Sequence, residues 1–234
     1  MMRDLADGAL PPAFERLHAD GGPFPPPQLW SLRVSGYPLR PVDDDVLDAA
    51  ERQRAARFVR PADRDRYRVA HVGLRQLLGA YLGIAPADVE LTREPCPGCG
   101  REHGRPAVVG TPLHFSLSHA GDLVVFAVAD TPVGVDVEEV PSSDVLPGLT
   151  AVLHPLERAE LEALALDERA WAFARCWTRK EAFLKGTGMG LGGDPTGVCV
   201  GAGPEPLAPA GWQLADVAVA DGYAAACAVR LAGA

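Results

Sequence analysis

The sequence predicts an α+β chain, and three observations carry that reading. Apolar and polar residues alternate in Val133-Gly134-Val135-Asp136-Val137-Glu138, the period of a strand with one face in a core. The stretch from Asp167 to Lys185 contains neither Pro nor Gly and is followed by Gly186, the start and stop pattern of a helix. The C-terminal residues break into short apolar runs separated by Gly- and Pro-rich turns, as strands do.

Taken in order, residues 1–27 hold Pro11-Pro12, Gly21-Gly22, Pro23 and Pro25-Pro26-Pro27, and an irregular leader draped over the body is expected there. Gln28 to Val34 reads as the first strand. Asp43-Asp44-Asp45 precede Val46-Leu47, an acidic cluster suited to a helix N-terminus, so a helix is expected from there to about Phe58-Val59, ahead of Pro61. A second runs from Ala62-Asp63 to Leu82-Gly83, with Val69, Val72, Leu74, Leu77, Leu78 and Tyr81 as its apolar stripe. Pro86-Ala87-Asp88 turns into a short strand at Val89-Glu90-Leu91. His114 to Ser118 is a strand, Ala120-Gly121-Asp122 a tight turn, and Leu123 to Ala129 a nearly unbroken apolar strand, hence a central one. Thr131-Pro132 then lead into the carboxylate strand, and so short a link predicts antiparallel pairing of the two. His154-Pro155 opens a helix ending near Ala165. Beyond the 167–185 helix, Gly186-Thr187-Gly188-Met189-Gly190 reads as a flexible loop, and strands are expected at Gly197–Val200, Trp212–Val219 and Tyr223–Val229.

Composition narrows the function. No run reaches the eighteen or so apolar residues of a membrane span, and the Met-Met-Arg-Asp-Leu-Ala-Asp start is too polar for an export signal, so a cytoplasmic protein with no membrane partner is expected. A net charge of -9 argues against a nucleic-acid binder. The basic residues are nonetheless uneven, with Arg52, Arg54, Arg57, Arg60, Arg64, Arg66, Arg68 and Arg75 close together. Most of these read as a solvated helix face, and a few as candidates for phosphates, which the guanidinium fork fits. The cysteines, Cys96, Cys99, Cys176, Cys199 and Cys227, are odd in number and read as reduced thiols. Cys96-Pro97-Gly98-Cys99 with His103 has the look of half a zinc site; no second such pair follows, so a plain loop is the favoured reading.

Two stretches carry the chemistry. Strand periodicity points Asp136 and Glu138 to one side, where two like charges repel unless a cation intervenes. Oxygen-only ligands suit a hard cation such as Mg2+, and a solvated strand face is the alternative. On the helix, Trp177, Glu181 and Lys185 fall at i, i+4 and i+8, bringing a third carboxylate and an ammonium to the edge of an aromatic face. Lys185 reads either as a salt-bridge partner of Glu181 or as a phosphate ligand.

Gly134-Val135-Asp136-Val137-Glu138-Glu139-Val140, followed by Trp177-Thr178-Arg179-Lys180-Glu181-Ala182-Phe183-Leu184-Lys185-Gly186, resembles the paired signature blocks of 4'-phosphopantetheinyl transferases, most closely the long, surfactin-synthetase-activating type. Gly104-Arg105-Pro106 and Phe115-Ser116-Leu117-Ser118-His119-Ala120-Gly121 agree in order and spacing. The resemblance covers about residues 50–230. It implies a pseudo-dimer of two similar α+β halves, 28–130 and 131–234 after the 1–27 leader, with the active site in the cleft between them. A monomer would then suffice.

The resemblance further implies transfer of the 4'-phosphopantetheine group of coenzyme A to a serine of an apo acyl or peptidyl carrier protein, with adenosine 3',5'-bisphosphate leaving. It places Asp136, Glu138 and Glu181 around Mg2+, with Mn2+ as a substitute. Glu181 is the implied general base, and Lys185 a catalytic and phosphate-binding residue. Arg54, Arg105, Ser118 and His119 are the implied coenzyme A contacts. Glu51 departs from the pattern, since some relatives carry a cation there; Arg52 or Arg57 would substitute. Met189 departs likewise from a common Lys. Exposed apolar residues within Val145–Leu153 and Gly186–Leu191 are candidates for carrier docking, with recognition local and apolar because carriers and this chain are both acidic. A metal-dependent phosphohydrolase acting on a nucleotide pyrophosphate is the rival reading of the same carboxylates, and a non-catalytic binder descended from such enzymes ranks last.

Overall fold

The structure is a computed structural model describing Leu10 and residues 13–17, 27–189 and 193–233. Most of the leader, and Gly190 of the expected loop, lie outside the described residues. Within the leader, β1 (Glu15–Leu17) pairs antiparallel with β2 (Gln28–Arg33), Arg16 opposite Trp30. Arg16 lies over the Trp30 ring at 5.6 Å and Phe14 packs on Phe126 at 5.9 Å, so side-chain contacts hold a backbone that its composition would leave loose.

The Asp43–Asp45 cluster does not open the first helix. It occupies a 3-10 turn at Pro41–Val46, where Asp43 pairs with Arg40 at 3.0 Å. The helix α1 (Ala49–Ala56) starts at Asp48, whose side chain accepts from the Glu51 amide at 2.8 Å while Glu51 accepts from the Asp48 amide at 3.0 Å. That reciprocal capping satisfies two donors at the start of α1, whereas Asp43 caps the 3-10 turn instead, accepting from the Arg40 amide at 2.6 Å. The long α2 (Pro61–Leu82) ends at Gly83 in a left-handed conformation, φ 71°, and lays Val69, Leu74, Leu77, Leu78 and Tyr81 against Trp30, Phe115 and Phe126. A ribbon of β3 (Leu91–Arg93) and β4 (Pro106–Val108) follows, with the expected strand at Val89–Leu91 displaced toward Arg93.

The first sheet runs β1-β2-β6-β5, antiparallel throughout, with β5 (His114–Ala120) and the fully buried β6 (Leu123–Ala129) joined by the predicted turn. The expected pairing of β6 with β7 (Val133–Glu139) does not form. Both edges of β6 are already taken by β2 and β5, so β7 has no free ladder to join. It leaves the sheet and pairs with β9 (Tyr223–Arg230), which also pairs with β8 (Trp212–Asp216), giving a second sheet β7-β9-β8. The sheets pack through Val125, Ala127 and Ala129 of β6 and Val133, Val135 and Val137 of β7. Across their junction the Val135 amide donates to Ser116 Oγ at 3.0 Å.

Between β7 and β8 lie α3 (Leu146–Leu149), α4 (Pro155–Glu162) and α5 (Arg169–Thr187). Residues expected in a flexible loop, Gly186 and Thr187, are the last turn of α5, which Gly188 closes at φ 78°. Helix α5 packs Phe173, Cys176 and Ala182 on Leu214, Ala226 and Ala228. Contact with β7 is backbone to backbone: a Cβ on Gly134 would stand 1.9 Å from the Ala182 carbonyl oxygen. The expected strand at Gly197–Val200 is absent; Pro195–Gly197 is a 3-10 turn, and the Val200 amide donates to Glu157 at 2.7 Å instead of to a neighbouring strand. Among the described residues no helix is long and apolar enough to cross a membrane.

Candidate active site

Gly134 lets α5 lie directly against the carboxylate strand, and that close approach sets which side chains can meet. The alternation in β7 turns Val133, Val135 and Val137 into the core and Asp136 to the opposite side, where it is only 2% exposed. Asp136 Oδ1 accepts from Ser118 Oγ at 2.7 Å and from Lys185 Nζ at 2.5 Å, and Lys185 Nζ also donates to Ser118 Oγ at 2.8 Å. Three elements, β5, β7 and α5, thus meet in one triangle of side chains. Among the described residues, Asp136 Oδ2 is buried with no hydrogen-bond partner. An unanswered carboxylate oxygen is costly inside a protein and calls for an explanation.

The predicted neighbours are close enough to act on Asp136 and on one another. Burial raises the Asp136 pKa above the ordinary value, while the Lys185 ammonium and the Ser118 hydroxyl pull it down. Glu138 is pushed up to about 7, first by burial and then by the charges of Asp136 and Glu181, with Lys185 and a hydrogen bond to Trp177 opposing. Glu181 is raised by burial and by the Asp136 charge, against Lys185. The carboxylates therefore repel one another in a partly dry place, which is what a solvated strand face would not show. They do not form a ready-made three-ligand cluster with every ligand atom within 4.8 Å. The Glu181–Lys185 salt bridge, one of the two readings of Lys185, is absent among the ion pairs of the described residues: Lys185 is spent on Asp136.

Beside this triangle opens a cavity of about 830 Å³, lined among others by Arg54, Tyr67, His71, Arg105, Phe115 and Lys185. Lys185 belongs to both places. Arg105 donates to Glu94 Oε2 at 3.0 Å and to the Gly186 carbonyl at 2.7 Å, so it ties the cavity wall to the end of α5. Arg54 reaches the cavity with its guanidinium 5.8 Å from the Phe58 ring. Arg52 and Arg57, the expected substitutes for a cation at position 51, are not among the lining residues. Arg52 instead donates to the Leu47 carbonyl. Glu51 lines the cavity but is neutralised: it pairs with Arg75 at 2.6 Å and with His71 at 2.8 Å. Ser118 sits in the triangle and not on the cavity wall. His119, its neighbour, is exposed and lies outside the cavity-lining residues.

Two basic residues beside Glu181, for which the sequence suggests no part in the chemistry, are both structural. Arg179 is fully buried and donates to Asp216 at 2.7 and 2.6 Å and to the carbonyls of Gly201, Gly203 and Pro204. Lys180 is fully buried against Glu157 at 2.9 Å. Sequence offers a faint signal for Lys180, which lies on the Phe173-Trp177-Leu184 stripe. Of the expected docking segment, Val145, Leu149 and Val152 are exposed, with Leu156 next to them, whereas Leu146 and Leu153 are in the core. Part of the other expected docking segment, Gly190-Leu191, lies outside the described residues.

A family model described as the 4'-phosphopantetheinyl transferase superfamily matches residues 132–204, from the start of β7 through the end of α5 and beyond. Among curated proteins, the chain is 32% identical over 165 residues to the 4'-phosphopantetheinyl transferase psf-1 of Bacillus pumilus, covering 68% of this chain and 70% of that one. It is 34% identical over 152 residues to the 4'-phosphopantetheinyl transferase HetI of Nostoc, covering 62% of this chain and 61% of that one. Identity to the 4'-phosphopantetheinyl transferase Sfp of Bacillus subtilis is 27% over 146 residues, 62% of each chain.

Proposed function

This chain belongs to the 4'-phosphopantetheinyl transferases and is a transferase enzyme, and from that premise we propose that it moves the 4'-phosphopantetheine group of coenzyme A to a serine of an apo carrier protein. The observation that carries the reading is Lys185, which lines a nucleotide-sized cavity while bonded to a buried aspartate whose second oxygen has no donor.

The balance is simple. The carrier serine oxygen bonds to the phosphorus that carries pantetheine, the bond from that phosphorus to the bridging oxygen breaks, and adenosine 3',5'-bisphosphate departs with the pair. The serine proton goes to Glu181, whose raised pKa makes it a stronger base than an ordinary carboxylate. Lys185 places an ammonium against the diphosphate, and Arg54 and Arg105 address the nucleotide end from the cavity wall. Ser118 holds Lys185 and Asp136 in register, and His119, the strand neighbour that the resemblance makes a coenzyme A contact, is not among the cavity-lining residues. Asp136 Oδ2, Glu138 and Glu181 fit a hard divalent ion, Mg2+ or Mn2+, by donor chemistry. When bound, the ion supplies positive charge to the diphosphate. We read residues 28–130 and 131–234 as two α+β halves, each a long helix on an antiparallel sheet, behind the leader 1–27; a cytoplasmic monomer would suffice.

Incubation with coenzyme A, Mg2+ and an apo carrier protein is expected to raise the carrier's intact mass by one phosphopantetheine. Free phosphopantetheine without an adduct would instead favour the phosphohydrolase reading. Carrier docking falls to the exposed Val145, Leu149, Val152 and Leu156. Leu149→Ala should weaken carrier affinity, read as a higher carrier KM; an unchanged KM would remove this surface.

A further inference from the structure

The loop between β3 and β4 contains a second cluster of ligating side chains. Cys96, Cys99 and His103 each turn one ligand atom inward, and all three atoms lie within 4.8 Å of one another. Cys99 Sγ stands 3.0 Å from His103 Nε2. A tetrahedral zinc with its usual bond lengths needs S-to-S and S-to-N edges of roughly 3.8 and 3.6 Å, so small side-chain movements suffice. The backbone is already wound for it. The Cys96 carbonyl accepts from the Gly100 amide at 2.8 Å, the Cys96 amide donates to the Arg101 carbonyl at 2.8 Å, and Gly100 takes φ 71°. Such a tight return within Cys-x2-Cys is what brings two sulfurs to one point.

We propose that Cys96, Cys99 and His103 form a zinc site, closed in the fourth position by solvent, that staples the wall of the cavity. Soft sulfur with imidazole selects zinc over the hard ions suited to the carboxylates. Two thiolates and a neutral imidazole balance the charge of Zn2+, so no fourth charged ligand is required. Cys96 is buried, whereas Cys99 and His103 are exposed, which leaves the open position on the solvent side.

The position of the loop gives the site a use. The strands enter and leave it through paired backbone bonds, Glu94 amide to Arg105 carbonyl at 2.9 Å and Gly104 amide to Glu94 carbonyl at 2.9 Å. His103, Gly104 and Arg105 then line the cavity. On its other side the loop touches the segment after α5, where a Cβ on Gly98 would come within 3.1 Å of Met189 Cε. A metal clip here would fix Arg105 and hold the loop against α5, and closing a long irregular loop is where such a clip is most effective.

The test is metal content and Co2+ spectroscopy on the reduced, full-length protein. Reconstitution with Zn2+ followed by desalting should leave one zinc per chain by mass spectrometry of the metal. Titration with Co2+ alone should give thiolate-to-cobalt charge-transfer absorption, displaced by Zn2+. Cys99→Ser and His103→Ala, both exposed and so tolerated by the fold as checked by circular dichroism, should each weaken binding at least about tenfold. Asp136→Asn should retain the zinc, separating this site from the carboxylates. No stoichiometric zinc in the reduced protein, or variants that bind as well as wild type, would overturn the proposal. Loss of the metal should also raise the KM for coenzyme A more than it lowers kcat. That consequence alone rests on the coenzyme A reading; the metal measurements stand whether or not the enzyme transfers phosphopantetheine.

Discussion

Glu51 and Glu157 are buried carboxylates, and so is Asp136, yet their surroundings differ. Glu51 accepts from His71 with one oxygen and from Arg75 and the Asp48 amide with the other. Glu157 takes Lys180 and the Val200 amide on one oxygen, and Lys180 with the His154 amide on the other. Asp136 has donors on Oδ1 and, among the described residues, none on Oδ2, with Glu138 and Glu181 adding negative charge nearby. The first two are closed and bind the fold together; the third is left open. Helix α5 shows the contrast within a few residues: Arg179 and Lys180 are locked into scaffold pairs, while Glu181 and Lys185 face the junction. Completeness of partnering, more than burial, separates a structural charge from a functional one.

Glu157→Ala should break the closed side most severely. Among the described residues it leaves the fully buried Lys180 with only the Val198 carbonyl, and removing one partner of a buried pair costs roughly 3–5 kcal/mol. Urea unfolding would show it as a lower midpoint; a change within about 0.5 kcal/mol would mean the pair is not structural. Asp136→Asn should do the reverse. We expect transfer to fall about 100- to 1000-fold, roughly 3–4 kcal/mol of transition-state stabilisation, while stability changes by less than about 1 kcal/mol, because the Lys185 it leaves behind keeps 32% of its side chain in solvent. Equal losses of activity and stability would collapse the distinction. Gly134→Ala tests the geometry joining the two sides. Its Cβ would meet backbone that cannot rotate away, so α5 must shift, at about 1–3 kcal/mol, and transfer should drop further than stability because Glu181 and Lys185 move with the helix.

Legibility in the sequence divides along the same line. The period of Val133, Val135 and Val137 sets Asp136 on its face, and the spacing of Glu181 and Lys185 sets both on one side of α5, since these are local regularities. What Lys185 bonds to is not legible. Its ion pair with Asp136 depends on how closely helix and strand approach, and the sign of that, Gly134 with Gly186, is meaningful only once the two are known to touch. The pairing of β7 escapes prediction for a similar reason: a short link favours a hairpin, but occupancy of both β6 edges is a property of the whole sheet. Asp48 rather than Asp43 caps α1 because the reciprocal Glu51 bond outweighs a mere run of acids.

The smallest expected effect separates open from closed by the sign of a pH dependence. Glu138 has its pKa raised from 4.5 to about 7 in the folded protein. Its favourable contribution is therefore full below about 4.5 and is lost as pH rises through about 7, since the native state holds the proton that the unfolded chain has released. Glu51 goes the other way. Burial alone would raise its pKa, but the bonds to His71 and the Asp48 amide, with the Arg75 charge, lower it, so its contribution is present above about 4.5 and lost as pH falls through its depressed value. In metal-free buffer with chelator, Tm should decline between about pH 4.5 and 7 by the Glu138 contribution. That is about 1 kcal/mol once partial solvent exposure is allowed for, or about 2–4 °C in a chain of this size. Glu138→Gln should flatten this decline and leave the acid-side loss intact, whereas Glu51→Gln should lower Tm at neutral pH and soften the loss in acid. If both variants moved the same limb of the profile, the two carboxylates would be in equivalent surroundings, and the contrast between a closed pair and an open one would not hold.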